Sequence, residues 1–364
     1  MEGGPTSTVR RRRRKRKGTK TSSTDPAANS SGSTNANDAA ASSLNSMDVD
    51  LAVAAVAHTA TSGGVDSVLR KLRESVGGGD LYTALQVYKA LFARFAKQGD
   101  VEPATELAAK GSCLLLKQGL TRAATDLALQ LVELFTESHT QATETNTAHL
   151  LAIVRAYPTH PEATTPQGAV DDTCDEDAQR LLRLAVKWSS AEGPFPRGDP
   201  RLNYEAACAY RRTGDASNAC QRYMFSEQCE EYAQYLHELA STKGYRGELD
   251  IFLARAVFQL LAVENIRDAI QVRAAFMLQC GGKKTLDTPL MNCVELLLDV
   301  VQRGKPALPL FQLLQKRYSR SLQRDEILQS CIGRIAHNFF GVAPPKQGGM
   351  MGMLESLLGG PKKK

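Results

Sequence analysis

Long apolar runs are missing from this 364-residue chain. The longest near the N-terminus, "LAVAAVA" from Leu51, is far shorter than the roughly 20 residues a helix needs to cross a bilayer. No secretory apolar region opens the chain, so neither membrane insertion nor export is expected. Alternation of β-branched residues with polar ones is also absent, which argues against a sheet. Eight cysteines occur, but never as Cys-x-x-Cys, which disfavours zinc and fits a reducing, cytosolic setting. The six histidines are scattered without ligand spacing. "HELAS" at His237 lacks the second histidine of a zinc helix. "CGGKKT" at Cys280 fails as a phosphate loop: Met277 stands where the first glycine belongs, and Lys284 where a hydroxyl residue belongs. There is no Gly-x-Ser-x-Gly elbow. No enzyme, metal or cofactor is expected.

What the chain does have is punctuation. Gly79-Asp80, Gly99-Asp100 and Gly214-Asp215 repeat one dipeptide, and Gly119 falls 20 residues after Gly99. Glycine is favoured just past a helix end because it takes a left-handed backbone without a Cβ clash. Aspartate is favoured at the next helix start, where its carboxylate accepts N–H groups of the first turn. The pair therefore reads as stop and restart. Short turns between helices of about 17 residues force antiparallel hairpins, and the regular spacing predicts an all-α solenoid of stacked, tetratricopeptide-like hairpins.

The formal charge of +6 is misleading. Arg10 to Lys17 supply eight consecutive cations; without them 37 basic residues face 39 acidic ones. The body is near neutral, which gives no footprint for a nucleic acid. Residues 1–64, rich in Ser, Thr, Asn, Ala and Gly, are expected to be a disordered tail. The basic run within them reads first as a solvated charge cluster, with nuclear import or a nucleic-acid patch as its functional alternative. Helical periodicity starts near Val65 with Val65, Val68, Leu69, Leu72 and Val76 on one face. The next helix stripes Leu81, Ala84, Leu85, Tyr88, Leu91, Phe92 and Phe95. An N-terminal half over 65–190, a C-terminal half over 191–345 and a flexible tail over 346–364 follow. Further helices are expected at about 201–212, 215–226, 228–242, 246–263, 265–279, 286–303, 306–320 and 324–340. Trp188, on an apolar face with Leu181, Leu184 and Ala185, reads as core.

Four phrases in order resemble one family: "GDLYTALQVYKALFARF", "ATDLALQLVELF", "RLAVKWSS" followed by "GDPRL", and "IGRIAHNFFGVAPPKQ". They are similar to the Golgi-to-ER traffic protein 4 family, over about Val65 to Leu358. Leu81, Thr83 and Leu85 depart from the family's Tyr, Glu and His at the first hairpin. The resemblance implies a cytosolic helical scaffold for guided entry of tail-anchored proteins. Its N-terminal half would bind the ATPase that carries those proteins. Its C-terminal half would hold a ubiquitin-like-domain partner, with a BAG-domain protein joining in animals.

The resemblance also implies an acidic pair facing the ATPase, which falls on Asp126 and Glu133. Their spacing of seven is two helical turns, so both project from one side, with Gln130 and Glu137 and opposite Leu127, Leu131 and Leu134. Tyr82 and Arg94 are assigned to the same interface. For the ubiquitin-like partner the leucine-rich segment "PLMNCVELLLDVVQRGKPALPLFQLLQKRY" is expected to serve, through Leu296, Leu297, Leu310 and Leu313. Two other readings compete. One is a helical-repeat subunit of another complex, such as a proteasome-lid or translation-factor assembly. The other is a nucleic-acid binder using the basic tail.

Overall fold

Fourteen α-helices and no strand occur among the described residues of the computed structural model, which are 81–161, 174–245, 247–281 and 286–342. The expected helix at 65–76, the tail over 1–64 and the segment 346–364 lie outside them. The first six helices are α1 (Leu81–Gln98), α2 (Val101–Lys117), α3 (Thr121–Glu137), α4 (Glu144–Arg155), α5 (Cys174–Glu192) and α6 (Pro200–Arg212). Odd-numbered helices pack in one row, α1 on α3 and α3 on α5. Even-numbered ones form a second row, α2 on α4 and α4 on α6. This is an α-solenoid of stacked antiparallel hairpins.

Gly79-Asp80 lies outside the described residues; within them the punctuation works as chemistry predicts, with one exception. Gly99 and Gly214 take φ of 79° and 76°, a region in which a Cβ is strained. Asp215 accepts the Asn218 N–H at 3.1 Å and caps the next helix. Asp100 occupies the cap position of α2, but its side chain makes no cap hydrogen bond. Elsewhere Thr143, Asp199, Asn265, Thr288 and Asp325 do cap, and Pro200 and Pro289 sit where a missing N–H costs nothing.

The remaining helices are α7 (Ala216–Tyr223), α8 (Cys229–Lys243), α9 (Leu249–Ala262), α10 (Ile266–Gln279), α11 (Pro289–Arg303), α12 (Leu308–Arg317), α13 (Ser319–Leu322) and α14 (Glu326–Phe340). The single helix expected at 306–320 is instead a 3-10 turn, Lys305–Ala307, then α12, then α13 after a break at Tyr318. Pro306 and Pro309 both lack the N–H an uninterrupted helix would use. The helix expected at 215–226 stops at Tyr223, and the turn after it places Glu227 at φ 58°.

Two hydrophobic cores result, one from Ala84 to Ala209 and one from Ala207 to Phe340. They meet on α6, whose Leu202, Ala206 and Ala209 face the first core while Ala207 and Tyr210 face the second. The division thus runs along α6 rather than just ahead of it. Each fully buried Leu or Phe contributes about 1.5–3 kcal/mol relative to exposure. At the junction Tyr223 stacks on Tyr232 at 5.5 Å between centroids and leans on Tyr235 at 5.4 Å. At the far end α14 folds back on α9. Arg324 clasps buried Asp250 with hydrogen bonds of 2.7 and 3.1 Å, and the same carboxylate accepts Thr288 Oγ1 at 2.9 Å.

Candidate interaction faces

Helix α3 has two chemically distinct sides. Ala124, Leu127, Ala128, Leu131, Leu134 and Phe135 are buried, because the i, i+3, i+4 spacing of small and apolar residues forms one stripe. Asp126, Glu133 and Glu137 are exposed on the other side, with Gln130 half-buried between them. Asp126 is not isolated: Lys89 Nζ of α1 lies 3.8 Å from its Oδ2. Asp126 is exposed and Lys89 half-buried, and at that distance the pair contributes under about 1 kcal/mol.

Tyr82 stands two turns before Lys89 and is 73% exposed. It therefore extends the α1 edge next to Asp126. Arg94 is half-buried and turned roughly 140° around α1 from Lys89. The structure does not bring it to the same edge.

Beside Glu133 the outer row opens into a groove of about 370 Å³ between α3 and α5. Leu129, Val132 and Glu133 form one bank, while Arg180, Leu184 and Lys187 form the other. Trp188 is its floor. The indole stacks on Phe135 at 4.8 Å and donates its Nε1–H to the Thr140 carbonyl at 2.9 Å, which satisfies the one polar atom of a buried ring. Leu184, expected in the core, is 40% exposed instead. It sits at the margin of the α5 stripe, three residues after Leu181, where periodicity alone does not separate core from groove. The cations Arg180 and Lys187, one helix away from the acidic pair, were not legible as its neighbours from the sequence.

In the C-terminal half the assigned leucines separate. Leu310 and Leu313 lie on one exposed side of α12, with Leu313 62% exposed, while Phe311 and Leu314 between and beside them are buried. Leu296 is exposed on α11. Leu297 is 1% exposed and belongs to the core, so its assignment to a surface is corrected: its side of α11 carries the buried stripe Leu290, Val294, Leu297 and Val301. The turn between the two helices depends on Gly304 at φ 65°.

Among the described residues no group of His, Cys, Asp and Glu could hold a metal ion, and no helix is long and apolar enough to cross a membrane. The thiols behave as small hydrophobes: burial pushes Cys293 up to about 12 and Cys220 up to about 11.

A family model described as Golgi to ER traffic protein 4 matches residues 98–358. A Golgi to ER traffic protein 4 homolog of Oryzias latipes is 32% identical over 306 residues, covering 82% of this chain and 89% of that one. The Homo sapiens homolog is 32% identical over 307 residues, with 82% and 88% covered. Among solved structures, a crystal structure of C. therm. Get4 aligns with a TM-score of 0.65 at 24% identity. The alignment covers 82% of this chain and 97% of that one, and it supports the fold.

Proposed function

Because this chain belongs to the Golgi to ER traffic protein 4 family, we propose that it is the cytosolic scaffold that joins two machines in the delivery of tail-anchored proteins to the ER. The α3 edge with Asp126, Glu133 and Tyr82 takes the targeting ATPase. The exposed leucines of α11 and α12 take a ubiquitin-like-domain partner, whose co-chaperone brings the substrate, with a BAG-domain protein as a further component. The chain itself performs no chemistry.

The observation that carries this reading is the separation of the two faces. An acidic edge stands over one core and an apolar edge over the other, and α6 is common to both cores. A scaffold needs that arrangement, because the two partners can then bind together. Held on one body, they meet at an effective concentration set by geometry rather than by their bulk levels, and handover becomes quasi-intramolecular.

The test is a binding titration of the full chain with each partner separately and with both present. Simultaneous occupancy, without mutual exclusion, is the expected result. If the two partners compete for the chain, or if the ATPase does not bind at low salt, the assignment fails.

A further inference from the structure

A second groove, of about 620 Å³, opens in the C-terminal half between α7, α8, α9 and α14. Its lining is mixed: Met224, Phe225 and Phe252 supply apolar walls, and Gln221, Gln259 and Ser330 lie among them. Three arginines line it, Arg197, Arg255 and Arg334, and no acidic residue does. Arg197 lies over the Phe225 ring at 5.4 Å, and Arg255 is engaged by Asp325. Arg334 is exposed. An occupant should therefore present several medium-sized apolar side chains and one carboxylate.

The chain carries such a segment a few residues beyond α14. In "GGMMGMLESLLGG", Met350, Met353, Leu354, Leu357 and Leu358 follow i, i+3, i+4, i+7, i+8, one side of a short helix. Glycine pairs delimit it at Gly348-Gly349 and Gly359-Gly360. Glu355 is the one acidic residue after Glu326. Reach is also met. Asn338 Nδ2 donates to the Ala262 carbonyl at 3.1 Å, so the end of α14 is tied to Ala262, which lines the groove. Residues 343–349 span roughly 23–25 Å when extended, and the groove residue Arg334 is only about 9 Å along α14 from Phe340.

From these observations we infer that residues 350–358 dock as a short amphipathic helix in this groove, their leucines and methionines inside and Glu355 against Arg334. A leash of seven residues gives the segment a local concentration in the millimolar range, which favours it over a second copy of the chain. The basic run Arg10–Lys17 is excluded by the three arginines.

Cys220 and Cys331 line the groove, so their alkylation rates report its occupancy. Cys113, in the first core, is the internal reference. In the full chain, Leu354→Glu with Leu357→Glu should speed iodoacetamide modification of Cys220 roughly tenfold, the ratio for a groove nine-tenths occupied. Cys113 should be unchanged. Arg334→Glu or Glu355→Arg alone should give part of that increase, and the two together should restore protection. The substituted leucines lie beyond α14, outside the described residues, and unchanged helix content with an unchanged Cys113 rate shows that the fold is intact. Equal rates in wild type and the leucine variant would overturn the proposal. So would protection that grows with protein concentration, which would indicate a second copy, or protection that arises only when the ubiquitin-like partner is added.

Discussion

Lys89 of α1 and Asp126 of α3 meet at 3.8 Å, so one of the two assigned acidic residues already has a cation beside it. Among the described residues Glu133 makes no ion pair. A basic partner surface must therefore compete with Lys89 for Asp126 but not for Glu133. Reversing both charges, Asp126→Lys with Glu133→Lys, should leave the helix content unchanged, since both side chains lie off the buried stripe. ATPase association should fall on the order of tenfold at low ionic strength and less at high salt. Glu133→Lys alone should reproduce most of that loss, and Asp126→Lys the smaller part. Binding of the ubiquitin-like partner should not change, and removing Arg10–Lys17 should affect neither partner. Equal binding by the double variant and wild type at low salt would show that this edge is only a solvated helix face.

The α11–α12 leucines separate surface from core cleanly. Leu310→Ser with Leu313→Ser should weaken the ubiquitin-like partner by tenfold or more if they anchor it. The same changes should move the denaturation midpoint little, because both side chains are already in water. Leu297→Ala should do the opposite first: it opens a cavity in the core and costs about 2–5 kcal/mol. Calorimetry of partner binding together with urea unfolding distinguishes the two outcomes. Full partner affinity in the serine variant would remove Leu310 and Leu313 from the interface.

Helix starts were well marked in the sequence, and helix ends only where glycine marks them. Asp199-Pro200 and Asp215 announce caps by residue type, and Gly99, Gly119 and Gly214 announce stops, whereas the helix expected from 286 starts at Pro289 behind its Thr288 cap. His139, Glu227 and Glu264 also take left-handed backbone, at φ of 50°, 58° and 66°, without a glycine to signal it. Glu227 accepts from Arg267 at 3.0 Å, a residue 40 positions away. No residue type in the local sequence signals such a turn. The same limit applied to the faces. Periodicity separated Asp126 and Glu133 from their core side, but it could not tell Leu296 from Leu297, adjacent residues on opposite sides of one helix edge. The grooves, built from helices distant in sequence, had no local signal.

Two buried tyrosines should respond in opposite ways to loss of their hydroxyls. Tyr88 Oη is buried without a hydrogen-bond partner among the described residues, and burial raises its pKa. Its ring packs against Gly111, where an added Cβ would meet it at 2.8 Å. Tyr88→Phe should raise stability by about 1 kcal/mol, because a desolvated donor is removed and the ring stays. Tyr157 instead bonds Thr125 Oγ1 at 2.7 Å, and that hydroxyl gives its own proton to the Thr121 carbonyl at 2.8 Å. Tyr157 is therefore the donor. Tyr157→Phe strands a buried acceptor and should cost about 1 kcal/mol. Urea midpoints that shift in the same direction for both variants would contradict the assignment.

The clasp between α9 and α14 sets an acid limit on the C-terminal core. Burial pushes the Asp325 carboxyl up, but the hydrogen bonds and charge of Arg255, with the N–H groups of Leu328 and Ile327, outweigh it and hold the carboxyl below its ordinary 3.8. Arg255 Nε donates to Oδ2 at 2.7 Å, and Ile327 N donates to Oδ1 at 2.9 Å. A carboxylate whose pKa is lower folded than unfolded stabilises above the unfolded value and loses that contribution as pH falls through the folded one. The stability curve should therefore drop below about pH 4. Asp325→Asn keeps an oxygen for capping α14 but removes the charge and the second oxygen that accepts from Arg255. It should lower stability at pH 7 by about 1–2 kcal/mol, discounted because Arg255 is partly exposed. It should also flatten the curve between pH 5 and 3, so that the difference from wild type shrinks as acid is added. Unfolding free energies measured across that range for both proteins decide it: a constant difference at every pH would mean that the asparagine acts through packing and that the Asp325 charge contributes nothing.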